Sequence, residues 1–170
     1  IKFISIGLMI AENQAVIWRG PMLMGALEQF LRDVEWGKLD FLLIDLPPGT
    51  GDVQLTLAQK ANIDGSIIIS TPQDIALIDA RKAIQMFDRL NVKIFGLVEN
   101  MSTYICDKCG YEDHIFGDSG VKKEAKALNL PFLGEIPLDR KVREDSDNGT
   151  PSALTNPDIP SSKSFSKIVD

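Results

Sequence analysis

Apolar residues along the chain follow two patterns, short continuous runs and helical repeats. The continuous runs predict strands, since a strand covered on both faces is apolar at every position; they lie at residues 3–6, 41–46, 65–70, 93–98 and 132–137. Repeats at three- and four-residue spacing predict helices, which we place near residues 23–34, 53–60, 74–90 and 119–128. This alternation predicts an α/β fold with a mostly parallel sheet and helices on both faces.

The pattern weakens beyond residue 137, where the chain turns polar and rich in proline and serine. We expect a short helix at 139–145 and interpret residues 1–150 as one domain. Residues 151–170 form an arm or the start of a helix, with apolar residues at Phe165, Ile168 and Val169. Because the chain opens directly on a predicted strand and ends within an amphipathic pattern, we expect the domain to be N-terminally incomplete.

Composition narrows the function classes. The 170 residues include 18 Lys and Arg against 24 Asp and Glu, a net charge of −6, so the chain would repel nucleic acid at long range. Its longest apolar runs are too short to span a bilayer, and we expect no membrane association. Two cysteines are too few for a disulfide scaffold and favour a reducing compartment, the cytoplasm first and an organelle such as the mitochondrion second.

In parallel α/β sheets, ligands bind beyond the carboxyl ends of the strands. The first such position is Asp45, at the end of the run 41–46, and a glycine turn with Gly49 follows it. A charged carboxylate at the end of a buried strand is unfavourable unless a nearby group balances its charge. Either Mg²⁺ near a bound phosphate balances it, or nearby backbone amides cap the strand end.

The second candidate is the pair Cys106 and Cys109, in a loop that we place near residues 104–114. Two thiols separated by two residues can hold one metal ion or one edge of a cluster, and Gly110 allows the tight turn this requires. A thioredoxin-like redox pair is disfavoured, since the residues that follow open a helix poorly. Zinc and a four-iron cluster each bind about four protein ligands. Either His114 and a carboxylate are the missing ligands, or two chains each donate a pair of thiols. The second solution follows simply from a two-fold dimer, and His114 is better explained as a polar loop residue.

Several stretches together resemble the Mrp/ApbC family of iron–sulfur cluster carrier ATPases, in the MinD-like (SIMIBI) branch of P-loop NTPases. The most specific is LLIDLPPGTGDV at 42–53. The others follow in the family's order: VIWRGP at 16–21, STPQD at 70–74, VENMS at 98–102 and GEIPL at 134–138. The resemblance as a whole covers almost the entire chain.

The resemblance implies roles for single residues. Asp45 would be the Walker B carboxylate that organises Mg²⁺, and Gly49 the switch glycine near the terminal phosphate of ATP. Asn100 would read adenine through its side-chain amide, although the residue by itself also suits a turn after a strand. Pro137 and Leu138 would lie against the adenine ring.

The resemblance also implies that cysteine pairs of two subunits hold a bridging [4Fe–4S] cluster. We therefore expect a homodimer that passes its cluster to apo iron–sulfur proteins, with ATP as the switch. The lysine-bearing glycine loop that holds phosphates in P-loop NTPases does not occur in these 170 residues. We expect a longer natural chain to be an ATPase and this piece alone to hydrolyse ATP negligibly. The alternatives are a non-catalytic dimeric module that holds zinc or a cluster, and a MinD- or partition-type positioning ATPase.

Overall fold

The computed structural model describes residues 1–9, 20–47, 51–106 and 108–169. The chain folds into two compact units, Ile1–Ile63 and Asp64–Asp170. In its described ranges, the first unit contains a 3₁₀ helix, Ile6–Met9, and the α-helices α1 (Gly20–Arg32) and α2 (Asp52–Lys60). The two α-helices pack on each other, and an ion pair of 3.4 Å joins Glu28 to Lys60.

Both strands predicted for the first unit are wrong. Residues 1–5 and 41–47 have no regular secondary structure, and Phe41 and Leu43 are 84% and 90% exposed. A strand needs a hydrogen-bonded neighbour, and within the described ranges no segment pairs with 41–47. The apolar run is therefore present without the pairing that would make it a strand.

The second unit contains a four-stranded sheet built around one long strand. Its strands are β1 (Ser66–Ser70), β2 (Ile94–Ile105), β3 (Glu112–Asp113) and β4 (Phe132–Leu138). β1 and β4 both pair with β2 in parallel, whereas the short β3 pairs with its end in antiparallel orientation. The predicted parallel sheet is thus confirmed for these strands, and β2 runs seven residues beyond its predicted end.

Five helices accompany this sheet: α3 (Asp74–Arg89), α4 (Gly120–Ala127), α5 (Arg140–Asp147), α6 (Ser152–Thr155) and α7 (Pro160–Val169). The helix predicted near residues 74–90 is confirmed as α3, with Gln73 as the extended residue before it and Asp74 in its first turn. The stretch from 151 onward, for which we expect an arm or the start of a helix, carries α6 and α7, and α7 packs on β4. Among the helices of the described ranges, none is both long and apolar enough to cross a membrane.

The core of the second unit lies on both sides of β2. Residues 96–99 are all buried, and successive side chains of a strand point to opposite faces, so both faces of the sheet are covered. Leu97 is fully buried. On the helical side, the Arg81 guanidinium donates two hydrogen bonds, of 2.8 and 2.5 Å, to the Glu124 carboxylate and ties α3 to α4.

We predict that Gly120→Ala destabilises the protein by about 1–3 kcal/mol, the usual cost of overpacking. A Cβ at this position would meet the backbone carbonyl of Pro72, which follows β1 and has no flexible end that could give way. Urea denaturation followed by circular dichroism measures the effect. The matched control is Gly25→Ala in α1, where a Cβ meets nothing within 4 Å and the helix should gain roughly 0.5–1 kcal/mol. Equal stability of Gly120→Ala and the parent would contradict the contact.

Candidate functional site

The carboxyl end of β2 is distorted directly after Asn100. Asn100 pairs with Ile136 and Tyr104 with Leu138, so β2 has two more residues than β4 between the same pairings. Met101, inside this bulge, has φ 55°, and its N–H donates to Asn100 Oδ1 at 3.0 Å. Asn100 therefore lies within β2 at a bulge, not in a turn after the strand. Such bulges and left-handed non-glycine residues concentrate at functional sites.

A cavity of about 160 Å³ lies beside this distorted end. Two of its walls are the residues predicted to contact adenine, Pro137 and Leu138. Pockets for whole drug-sized ligands are usually roughly 300–1,000 Å³, so this cavity suits one planar ring and not an entire nucleotide. The other walls come from the end of β2, the start of α5 and the start of α7: Tyr104, Ile105, Asp139, Arg140 and Pro160.

The cysteine pair lies in the hairpin that joins β2 to β3. The Cys106 N–H donates to the carbonyl oxygen of Tyr111 at 2.9 Å, and the Cys106 carbonyl accepts from the Gly110 N–H at 2.8 Å. Gly110 has φ 70°, which confirms the tight turn predicted for it. The pair therefore lies in a closed turn and not at the start of a helix, which agrees with the prediction against a thioredoxin-like arrangement.

In the part of the chain that the structure describes, the cysteine hairpin does not by itself complete a metal site. Cys109 is exposed and Cys106 half-buried. His114 Nδ1 lies 3.3 Å from the carbonyl oxygen of Ser102, so one ring nitrogen faces the backbone of β2. Among the residues that the structure describes, no three His, Cys, Asp or Glu side chains come together in a way that could hold a metal ion.

Glu99, next to Asn100, has a role that sequence reasoning missed. It is 1% exposed, and its Oε2 accepts the N–H of Val121 at 2.8 Å. The carboxylate thus anchors the first turn of α4 to β2, where the helix dipole favours a negative charge. Burial nevertheless raises the pKa of Glu99, against the lowering effect of the Val121 and Lys122 amides, and the nearby Glu135 and Asp118 carboxylates raise it further. The available signal for this role was a carboxylate directly after the apolar run 93–98.

Asp45 and Gly49, the residues predicted to lie near Mg²⁺ and the terminal phosphate, belong to the first unit. Asp45 is exposed in the irregular segment 41–47, and Gly49 lies outside the described residues. Gln54 of α2, which sequence reasoning also missed, is buried, and its Nε2 donates to the carbonyl oxygen of Pro47 at 2.7 Å. This bond fixes the backbone just after Asp45. The structure thus brings together Pro137, Leu138 and the end of β2, whereas Asp45 belongs to a separate unit.

A family model described as "ParA: NUBPL iron-transfer P-loop NTPase" matches residues 1–170. The chain belongs to this family. It is 47% identical over 168 residues to the iron-sulfur cluster transfer protein NUBPL of Dictyostelium discoideum, covering 99% of this chain and 52% of that protein. It is 45% identical over 166 residues to the iron-sulfur cluster carrier protein of Escherichia coli K12, covering 98% of this chain and 45% of the other. The chain thus spans about half the length of these NUBPL-family relatives.

Solved structures confirm the fold. A nucleotide-binding protein from Archaeoglobus fulgidus in complex with ADP superposes with a TM-score of 0.67 at 41% identity, covering 75% of this chain and 53% of that one. The Pyrococcus furiosus cell division ATPase MinD gives a TM-score of 0.61 at 21% identity, covering 88% of this chain and 56% of the other. The second likeness shows a shared fold alone. Together they confirm the MinD-like P-loop NTPase fold that the sequence predicts.

We predict that Glu99→Gln gains stability relative to the parent as the pH rises. The folded-state pKa of Glu99 is raised above its ordinary 4.5. Protonation of Glu99 therefore stabilises the folded state. That contribution is complete below the unfolded-state pKa and is lost as the pH rises through the folded-state pKa. The glutamine stays neutral, and its Oε1 can still accept the Val121 N–H.

Urea denaturation at a series of pH values between about 4 and 8 measures the difference in unfolding free energy between Glu99→Gln and the parent. The difference should grow in favour of the variant across the raised pKa and then level off. A difference in unfolding free energy that stays constant over the whole pH series would contradict a raised folded-state pKa of Glu99.

Proposed function

We propose that the natural protein containing these residues is an ATP-dependent carrier of a [4Fe–4S] cluster. The observation that carries the proposal is that β2 brings a ring-sized cavity and a closed cysteine turn to the same end of one sheet. Family membership and the names of the relatives support an iron–sulfur cluster as the cargo. The NTPase fold and the relative in complex with ADP support the binding of an adenine nucleotide.

The base would occupy the cavity lined by Pro137 and Leu138. The volume fits a single heterocycle, and two apolar walls provide the contact that an adenine ring needs. Asn100 would read the edge of the base, since its amide offers both a donor and an acceptor. Its Oδ1 already accepts the N–H of Met101, which holds the side chain in one orientation, and both the amide NH₂ and the second lone pair of Oδ1 stay available. Asn100 is not among the residues that line the cavity, so it would meet the base from outside that wall.

Mg²⁺ would bind near Asp45, whose carboxylate is exposed to solvent and whose backbone neighbourhood is fixed by Gln54. A carboxylate is a ligand that Mg²⁺ accepts alongside water and phosphate oxygens. Bound there, Mg²⁺ would neutralise charge on the phosphates during hydrolysis. Gly49 would approach the terminal phosphate.

The cluster would be held by Cys106 and Cys109 of two chains in a homodimer. One chain provides two thiols where a four-iron cluster wants four ligands, and an isologous two-fold contact doubles the set. Exposed apolar side chains near the turn, Ile105, Tyr111 and Ile115, would be covered in such a contact or by an apo-protein that receives the cluster. Nucleotide binding and hydrolysis would switch the dimer between holding and releasing its cargo. Its compartment, cytoplasmic or organellar, stays a prediction.

We predict that Cys106→Ala and Cys109→Ala each abolish cluster assembly on the protein. After anaerobic reconstitution with iron and sulfide, the parent should be brown and elute as a dimer, whereas either variant should be colourless. The matched control is Lys108→Ala, which lies between the cysteines and leaves both thiols in place. Visible absorption and size-exclusion chromatography measure the outcome. Colour that survives either cysteine substitution would contradict the cluster site, and a parent that takes up only zinc would support the non-catalytic module.

We predict that Asp45→Ala weakens the dependence of ATP binding on Mg²⁺ in the longest natural form of the chain. The half-saturating Mg²⁺ concentration should rise about tenfold or more, which corresponds to about 1.4 kcal/mol. A Mg²⁺ titration at fixed ATP measures it. Asp40→Ala, a neighbouring exposed carboxylate, is the control and should leave the titration unchanged. An identical titration for Asp45→Ala and the parent would remove the Mg²⁺ role.

A further inference from the structure

Tyr104 is paired on both edges of β2. Along one edge it is in register with Leu138 of β4, and along the other with Asp113 of β3. Leu138 is a wall of the cavity, whereas β3 is the returning arm of the cysteine hairpin. The backbone of Tyr104 is thus paired with a residue of the cavity wall on one side and with the cysteine hairpin on the other.

Tyr104 is itself one of the residues that line the cavity, as is its neighbour Ile105. Two residues further on, the backbone of Cys106 is held at both its N–H and its carbonyl by the turn. A shift of the strand at Tyr104 therefore reaches Cys106 through one intervening residue. The turn that encloses both thiols would move with it, since the bonds to Tyr111 and Gly110 close that turn on itself.

The strand is also distorted at this place. The two extra residues of the bulge lie between Asn100 and Tyr104, and Met101 holds a left-handed conformation that a non-glycine residue adopts at a cost. Upstream of the bulge, β2 is fixed by its buried core and by the Glu99 bond to α4. The bulge separates this fixed part from the segment that carries Tyr104 and the hairpin.

We propose that Tyr104 is the positioning residue through which occupancy of the cavity sets the geometry of the cysteine pair. A ring that enters the cavity contacts the Tyr104 side chain, moves or immobilises the end of β2 beyond the bulge, and so changes how firmly the two thiols hold their cargo. This inference rests on the proposed function, because it assumes that a nucleotide base and a metal cluster are the two ligands.

The test uses the longest natural form of the chain, reconstituted with a [4Fe–4S] cluster, and measures the rate at which iron passes to a chelator with and without Mg-ATP or Mg-ADP. For the parent, nucleotide should change the rate by about fivefold or more, the lower range of coupling between two sites. Tyr104→Val removes the ring and keeps a residue suited to a strand. It should retain its cluster and lose the nucleotide effect on the release rate, measured at nucleotide concentrations that a binding titration of the variant shows to be saturating.

The matched control is Tyr111→Val, on the same hairpin but not among the residues that line the cavity; it should keep the nucleotide effect, as should Tyr104→Phe. A second readout needs no cluster: nucleotide should change hydrogen exchange at the Cys106 and Gly110 amides in the parent and not in Tyr104→Val. This readout separates coupling from a general loss of stability.

A full nucleotide effect in Tyr104→Val would overturn the inference, as would a parent that binds both ligands without any nucleotide effect on release or exchange. A parent that binds no nucleotide or assembles no cluster would overturn the proposed function and the inference together. The binding measurements on the parent distinguish these two kinds of failure.

Discussion

The pairing of β2 is the constraint on which the second unit depends. It is the strand to which β1, β3 and β4 are all hydrogen-bonded, and its middle is buried from both sides. The same strand reaches the cavity walls and ends one residue before Cys106. Because its register with β4 fixes where Asn100 and Tyr104 lie relative to Ile136 and Leu138, the cavity and the cysteine turn are placed by one set of backbone hydrogen bonds.

Burial of Glu99 illustrates what this placement costs. An ionised carboxylate inside the sheet loses solvation, and the raised pKa reflects that loss. In exchange, the carboxylate satisfies amide groups at the start of α4 that would otherwise lack an intrahelical partner, and it holds the helix against the strand just before the bulge. The buried carboxylate thereby fixes β2 to α4 just before the bulge.

Much of the second unit could be predicted from the sequence, since the isoleucine run of β1 and the periodic repeats of α3 and α4 are local signals. The strands predicted at 3–6 and 41–46 failed for the opposite reason: an apolar run is a local property, but a strand exists only with a partner. The end of β2 was missed similarly, because the polar stretch after Val98 reads as a loop until its pairing with β3 and β4 is known. Asn100, Pro137 and Leu138 were predicted through family motifs, whereas Glu99 and Tyr104 act through contacts distant in sequence. Gln54 bonds to Pro47, which is nearer in sequence, but no periodic pattern indicates that bond.

Native mass spectrometry of the reconstituted natural protein with Mg-ATP tests the central claim most directly, because it counts chains, clusters and nucleotides in one species. The account predicts a particle of two chains that carries one four-iron cluster together with bound nucleotide. A cluster carried by a single chain, or a cluster-bearing dimer that never retains nucleotide, would contradict it.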